Sequence, residues 1–323
     1  MSLTRRDVGR MAAGALAAGP LVAKPNSTFG GVRIGVITYS FRALPGSAEE
    51  TLKHITDCGI SQIELMSNVA ESYAGAPLPV MRPMMGGMMK KGGGGKKMGP
   101  TPEQIAERKK AAEAVSAWRL KAPMAKYKEF RKMYEDAGVK IYCFKLPPTL
   151  EMPDAEYEYI WNVAETLGAD HITMELPEND ELLNRVAAYA AKRKLAIAFH
   201  THGQGGSSMF DKALGASAYT ALNLDVGHYF GVTGESPVPV VEKYHARIKS
   251  LHLKDRKAPE GGRGGANVPW GQGATPLQEL LQVMKKKRYK FPGSIEYEYE
   301  TPEGSDVIAE VKKCVAYCKA ALA

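Results

Sequence analysis

Eight short runs that read as strands, separated by stretches of helical periodicity, constrain this chain more than any other feature. They cover residues 32–39, 62–66, 140–146, 171–176, 195–200, a stretch through 222–228, 248–254 and 293–299. Between and after them, residues 47–58, 127–137, 155–167, 180–194 and 306–321 place apolar side chains at helical spacing, with Ser47 or Ala48 near one start and Gly138 at one stop. Strands that alternate with helices predict parallel βαβ units, and eight of them close a (β/α)8 TIM barrel. A doubly wound sheet is the alternative. No glycine-rich dinucleotide turn follows the first strand, which weighs against it.

The length of 323 residues accommodates one α/β barrel or two small domains. No apolar run reaches the roughly 18–20 residues that span a bilayer, so no stable membrane insertion is expected. The formal charge of +8 is concentrated in two segments. Residues 1–25 carry Arg5, Arg6, Arg10 and Lys24 against Asp7, and residues 76–100 carry Arg82, Lys90, Lys91, Lys96 and Lys97 with no acid. The remainder is formally neutral, unlike a protein that tracks phosphates, so no nucleic-acid partner is expected. The four cysteines, Cys58, Cys143, Cys314 and Cys318, fit small core positions and predict neither disulfides nor a thiolate zinc site.

Thr4-Arg5-Arg6-Asp7-Val8, a short Ala/Gly-rich run and a small-residue exit near Ala23 are the parts of an export signal. The twin arginine resembles a Tat signal, which implies the Tat translocase as export route and a periplasmic or secreted location. Residues 1–30 are therefore assigned to signal and linker, and 31–323 to one catalytic barrel domain. Within it, residues 77–100 form a Pro/Met/Gly/Lys insert of low complexity after the second strand, expected to be flexible.

The chemistry-bearing residues collect at predicted strand ends. They are Glu64, Glu175, His200 with His202, Asp225 with His228, His252 with Lys254 and Asp255, and Glu296 with Glu298. In a TIM barrel that end of the strands holds the active site, and charged groups are rarely buried there without a partner. His, Asp and Glu without thiolate suit a divalent ion such as Mn2+, Co2+, Zn2+ or Mg2+. The expected ligands are Glu175, Asp225, His252 and Glu296, with His200 the rival for one position. His200, His202, Lys254 and Glu298 are candidates for base, acid and hydroxyl contacts, and His228 for substrate contact. Trp270, in the Gly-rich loop 256–275, and Phe41, after the first strand, are candidate substrate walls, although each could equally pack its own surroundings.

Phe199-His200-Thr201-His202-Gly203, Leu224-Asp225-Val226-Gly227-His228, Leu251-His252-Leu253-Lys254-Asp255 and Ile295-Glu296-Tyr297-Glu298, in this order, resemble the sugar phosphate isomerase/epimerase group of xylose-isomerase-like TIM barrels. That group includes ketose epimerases, inosose dehydratases and endonuclease IV. The resemblance covers roughly 32–323. It implies one divalent metal at the barrel mouth, with Asp225, His252 and Glu296 matching ligands on strands six, seven and eight.

The chain departs from the ketose epimerases on strand five, where His200 in a His-x-His form stands in place of their glutamate. That form is similar to the inosose dehydratases and related lyases. Epimerisation by two facing glutamates is thereby put in doubt, while proton abstraction beside a metal-bound carbonyl is retained. The expected function is a metal-dependent isomerase or epimerase acting on a keto-sugar or sugar derivative. The alternatives are a keto-glycoside β-elimination lyase or dehydratase, and a non-catalytic sugar-binding barrel. An endonuclease-IV-like nuclease is disfavoured by the seven histidines and the neutral body. No phosphate cradle is present to indicate a phosphorylated substrate, and homo-oligomerisation is left open.

Overall fold

The computed structural model describes residues 24–79, 101–202, 207–261 and 264–323. The stretch expected to be an export signal and most of the Met/Gly/Lys insert lie outside these residues. Strands β2 (Val32–Ile37), β3 (Gln62–Met66), β4 (Lys140–Lys145), β5 (His171–Glu175), β6 (Ala196–His200), β7 (Thr220–Asp225), β8 (Ile248–Leu253) and β9 (Gly293–Ile295) pair in parallel in sequence order. β2 also pairs with β9, at Ile34↔Gly293 and Val36↔Ile295, so the sheet closes into the predicted eight-stranded barrel. β1 (Thr28–Phe29) adds an antiparallel strand to β2, inside a stretch assigned from sequence to the linker.

The surrounding helices are α1 (Ala48–Asp57), α2 (Ser67–Tyr73), α3 (Pro102–Arg119), α4 (Met124–Asp136), α5 (Asp154–Leu167), α6 (Asp180–Arg193), α7 (Ser207–Gly215), α8 (Val226–Thr233), α9 (Val238–Tyr244), α10 (Leu277–Lys287) and α11 (Val307–Ala321). Local chemistry sets their ends. Ser47 and Glu50 form a reciprocal capping box at the start of α1. Gly138, with φ of 82°, supplies the left-handed turn between α4 and β4. None of the described helices is long and apolar enough to cross a membrane.

The barrel interior is unusual in being polar at period two. His171, Thr173 and Glu175 alternate along β5, Asn223 and Asp225 along β7, and Ser250 and His252 along β8, continued past its end by Lys254. Residues one step apart on a strand face opposite sides, so each set shares the inner face. The intervening Ile172, Met174, Leu222, Leu224, Leu251 and Leu253 are buried in the hydrophobic core instead. TIM-barrel interiors are ordinarily filled by branched apolar side chains, so this lining requires a hydrogen-bonded or ionic account of every group.

The eighth barrel strand ends at Ile295 and does not run to Tyr299, and two further differences have a local cause. The sixth barrel strand does not run on through Gly227-His228 but stops at Asp225, because that carboxylate caps α8 by accepting from the His228 backbone N–H at 2.7 Å. Helix α3 was not anticipated, although Thr101-Pro102-Glu103-Gln104 carries a capping box with Pro at its first turn. Its docking depends on Arg119, which donates to both Glu71 oxygens of α2 (2.8 and 3.2 Å) and to Glu156 of α5 (3.0 Å). Both acids are buried. Replacing Arg119 by Ala leaves two buried carboxylates without their cation, so unfolding free energy from urea titration should fall by about 3–5 kcal/mol. An unchanged midpoint would contradict this role.

Candidate active site

The groups at the C-terminal end of the barrel are held by a second layer beneath them, built around Glu64 of β3. This fully buried carboxylate accepts from Thr173 Oγ1 at 2.8 Å, from Asn223 Nδ2 at 3.1 Å and from His252 Nε2 at 2.8 Å. Burial would raise its pKa, but the His252 imidazolium against it brings it to about 2. A carboxylate accepts only, so the Asn223 atom facing Glu64 is Nδ2, and its Oδ1 faces His200 Nδ1 at 2.7 Å. His200 Nδ1 therefore carries the ring's hydrogen and Nε2 carries a lone pair.

That lone pair is the decisive feature. Among the described residues His200 Nε2 is buried without a hydrogen-bond partner, and it lies 3.9 Å from Asp225 Oδ2. Burial, reinforced by the nearby His252 and Lys145 cations, lowers the ring's pKa to about 3, so it is neutral at neutral pH. His200, Asp225, His252 and Glu296, all buried, bring one ligand-type atom each to within 4.8 Å of one another. Both histidines have their second nitrogen fixed from behind, His200 by Asn223 and His252 by Glu64. Metal-ligating histidines have this support, and two imidazoles with two carboxylates suit a divalent ion. The residues fit the group.

The same cluster holds a buried lysine. Lys254 Nζ lies 2.9 Å from Asp225 Oδ2, 2.8 Å from Glu296 Oε2 and 2.6 Å from Glu298 Oε2. Burial opposes its charge, yet the three carboxylates raise its pKa. Conversely, burial works against ionisation of Asp225 and Glu296, but Lys254 and then His228 hold Asp225, and His252 and then Lys254 hold Glu296, below the usual carboxylate range. His252, whose Nδ1 is 2.7 Å from Glu296, is pushed up to about 10 by Glu64 and Glu296 against the effect of burial. Gly227 permits this packing, since a Cβ there would fall 2.2 Å from Lys254 Cγ.

The compact group takes His200 where Glu175 ranks first from sequence. Glu175 instead accepts from His202 Nδ1 at 2.6 Å and lies 3.4 Å from Lys145 Nζ. The His202 ring is the more exposed one, 4.6 Å from His200 and 4.8 Å from His228. His228 Nδ1 bonds Asp225 Oδ2 at 2.9 Å. Trp270 packs edge-on against Tyr317 of α11, and Phe41 is buried against His54, so both sit in packing contacts. Asp255 organises the loop after β8, accepting from the backbone N–H groups of Gly271, Gly273 and Thr275 at 2.8, 2.9 and 3.2 Å.

Thr173, Asn223 and Ser250 were not singled out from sequence, and Glu64 was noted without a role. The readable signal for them is the polar residue every second position along β5, β7 and β8.

A family model described as xylose isomerase-like TIM barrel matches residues 106–317. The chain belongs to this family. Inosose dehydratase from Clostridium botulinum (strain Eklund 17B / Type B) is 28% identical over 127 residues, 33% of this chain and 42% of that protein. The chain thus matches less than half the length of this relative. The xylose isomerase-like barrel is also similar to solved structures that show the same fold. A probable 3-DHS dehydratase, AsbF of Bacillus anthracis, aligns at TM-score 0.57 and 14% identity, covering 88% of this chain and 98% of that one. An L-ribulose 3-epimerase aligns at TM-score 0.56 and 12% identity, covering 90% and 94%.

Asn223 bonds His200, Glu64 and Ser250 at once. Asn223→Leu should lower unfolding free energy by about 1–3 kcal/mol for each polar group left unsatisfied. Thermal and urea melts check this, and a variant as stable as the parent would contradict the second-layer role.

Proposed function

We propose that this xylose isomerase-like barrel is a sugar-modifying enzyme. It binds a divalent cation on His200, Asp225, His252 and Glu296 and removes a proton beside a carbonyl of a keto-sugar or sugar derivative. The observation that carries the reading is the buried Nε2 of His200, which has no hydrogen-bond partner among the described residues and faces a set of ionised carboxylates. A bound divalent ion supplies Lewis-acid polarisation of a substrate oxygen. His252 would offer such an ion its Nδ1 in the neutral form, with its Nε2–H held on Glu64.

The protein's own groups divide the proton work. The Glu175 carboxylate fixes the hydrogen of His202 on Nδ1 and raises the ring's basicity. His202 is thus suited to act as the general base at the exposed edge of the cluster. Lys254 remains an ammonium and is suited to donate to an oxygen that gains negative charge. Glu298, bonded to Lys254 and 3.5 Å from Asn267 Nδ2, is suited to accept from a sugar hydroxyl.

Elimination fits this set better than epimerisation by two facing glutamates. The ligand contributed by β6 is an imidazole, so Glu296 is the one glutamate in the group. The relative matched by sequence is a dehydratase by name, which points the same way. Isomerisation through the same proton abstraction is the second outcome the chemistry allows.

Two measurements test the proposal. Asp225→Ala and Glu296→Ala should lose stoichiometric Mn2+ or Co2+ in plasma mass spectrometry after dialysis, whereas full metal content in both would overturn the ligand assignment. Metal-loaded enzyme incubated with keto-sugars in D2O should release water or an aglycone, or return substrate carrying deuterium next to the carbonyl. Neither outcome with any keto-sugar tested would reject the enzymatic reading.

A further inference from the structure

Three imidazoles stand together at the C-terminal end of the barrel. His200 ends β6, His202 follows two residues later, and His228 lies in the first turn of α8. Each brings one ring nitrogen to within 4.8 Å of the others. The set climbs from the buried His200 ring through His228, whose side chain is 12% exposed, to His202 at 51%. It shares only His200 with the four-residue group around Asp225, and it contains no carboxylate.

Each ring is held by its Nδ1 against an oxygen. His200 Nδ1 donates to Asn223 Oδ1 at 2.7 Å, His202 Nδ1 to Glu175 Oε2 at 2.6 Å, and His228 Nδ1 to Asp225 Oδ2 at 2.9 Å. The two carboxylates are ionised at neutral pH and only accept, and the Asn223 amide is oriented by Glu64. Lys254 Nζ is also 3.3 Å from His228 Nδ1, but the carboxylate is closer and requires the hydrogen there. In the neutral rings all three hydrogens therefore lie on Nδ1 and all three lone pairs on Nε2. An oxygen behind the second nitrogen is the support that metal-ligating histidines have. The ring planes also cross steeply, at 78° between His200 and His202, 63° between His202 and His228, and 85° between His200 and His228. A lone pair lies in the plane of its ring, so rings in crossed planes can meet at one ion, whereas stacked rings cannot.

We propose that His200, His202 and His228 form a second, all-imidazole cation site for a borderline divalent ion such as Zn2+ or Cu2+. Imidazole suits these ions, whereas the carboxylates around Asp225 also suit the harder Mn2+ and Mg2+. One lone pair serves one ion, so His200 Nε2 belongs to one site at a time and the two sites exclude each other. The three-histidine site itself stands on these rings alone. Its exclusion of the other ion rests on the ligand group proposed above. On the reading of His202 as general base, occupancy of the three-histidine site also removes the base, so such an ion is an inhibitor.

Pulsed EPR of the full chain with one equivalent of Cu2+ counts the imidazoles on the ion. Three are expected in the parent. His202→Ala and His228→Ala should each lose one and weaken Cu2+ binding by roughly tenfold or more in calorimetric titration, since even a lost supporting contact has that effect. Glu296→Gln, which removes a ligand of the other group, should keep all three. Fewer than three imidazoles in the parent, or three still present in His202→Ala or His228→Ala, would overturn the site. Cu2+ added to the Mn2+-loaded parent should release Mn2+, read from the spectrum of the free ion. Mn2+ that stays bound beside Cu2+ on three imidazoles would overturn the mutual exclusion. A parent that holds Cu2+ on three imidazoles but binds no Mn2+ supports this site and rejects the ligand group proposed for the enzyme.

Discussion

A carboxylate with no exposure to water, Glu64, sits where an ordinary barrel would have a branched apolar side chain. It can remain ionised there only because β5, β7 and β8 each send it a donor, from Thr173, Asn223 and His252. That requirement fixes the rest of the interior. It orients the Asn223 amide, which fixes the tautomer of His200, and it anchors Nε2 of His252. One buried charge thereby presets two imidazoles from strands β6 and β8 toward a common point, before any ligand is bound.

Above this layer the problem is one of charge. Asp225, Glu296 and Glu298 converge on Lys254, and the ammonium is the compensating cation. Removing either partner from such a cluster strands a buried charge, so the set behaves as a unit. His200 Nε2 is the exception, a buried acceptor the cluster leaves without a donor. Among the described residues nothing donates to this atom, and it is the position the proposed cation would take. The polar lining also continues downward through Asn223, Ser250 and His171, so the two ends of the barrel are joined by hydrogen bonds within the lumen.

Much of this was legible in the sequence because it is local. Alternation of apolar and polar residues located the strands, and Ser47 and Gly138 marked turns through their own backbone chemistry. Asp225, His252 and Glu296 were readable because strand ends in a barrel meet in space. What was not legible depended on partners far along the chain. The bond between Glu64 and His252 spans 188 residues, and no local pattern assigns Glu64 a role. Glu175 and His200 sit side by side in the pairing of β5 with β6, and only the geometry separates the residue that joins the cluster from the one that supports His202. Trp270 and Phe41 look like substrate walls by residue type, and the structure shows the ring contacts they make, with Tyr317 and His54. Helix α3 was missed for a different reason: it is largely exposed, lacks a clear apolar stripe, and docks only near its C-terminal end, through Val115, Trp118 and the Arg119 ion pairs.

The central claim is that these four side chains, with His200 rather than Glu175, form one cation site. Anomalous diffraction from crystals grown with Mn2+ tests it most directly. The account predicts a single strong peak bonded to His200 Nε2, His252 and the carboxylates of Asp225 and Glu296, with Glu175 still on His202. A peak coordinated by Glu175, or no peak within this cluster at saturating Mn2+, would contradict it.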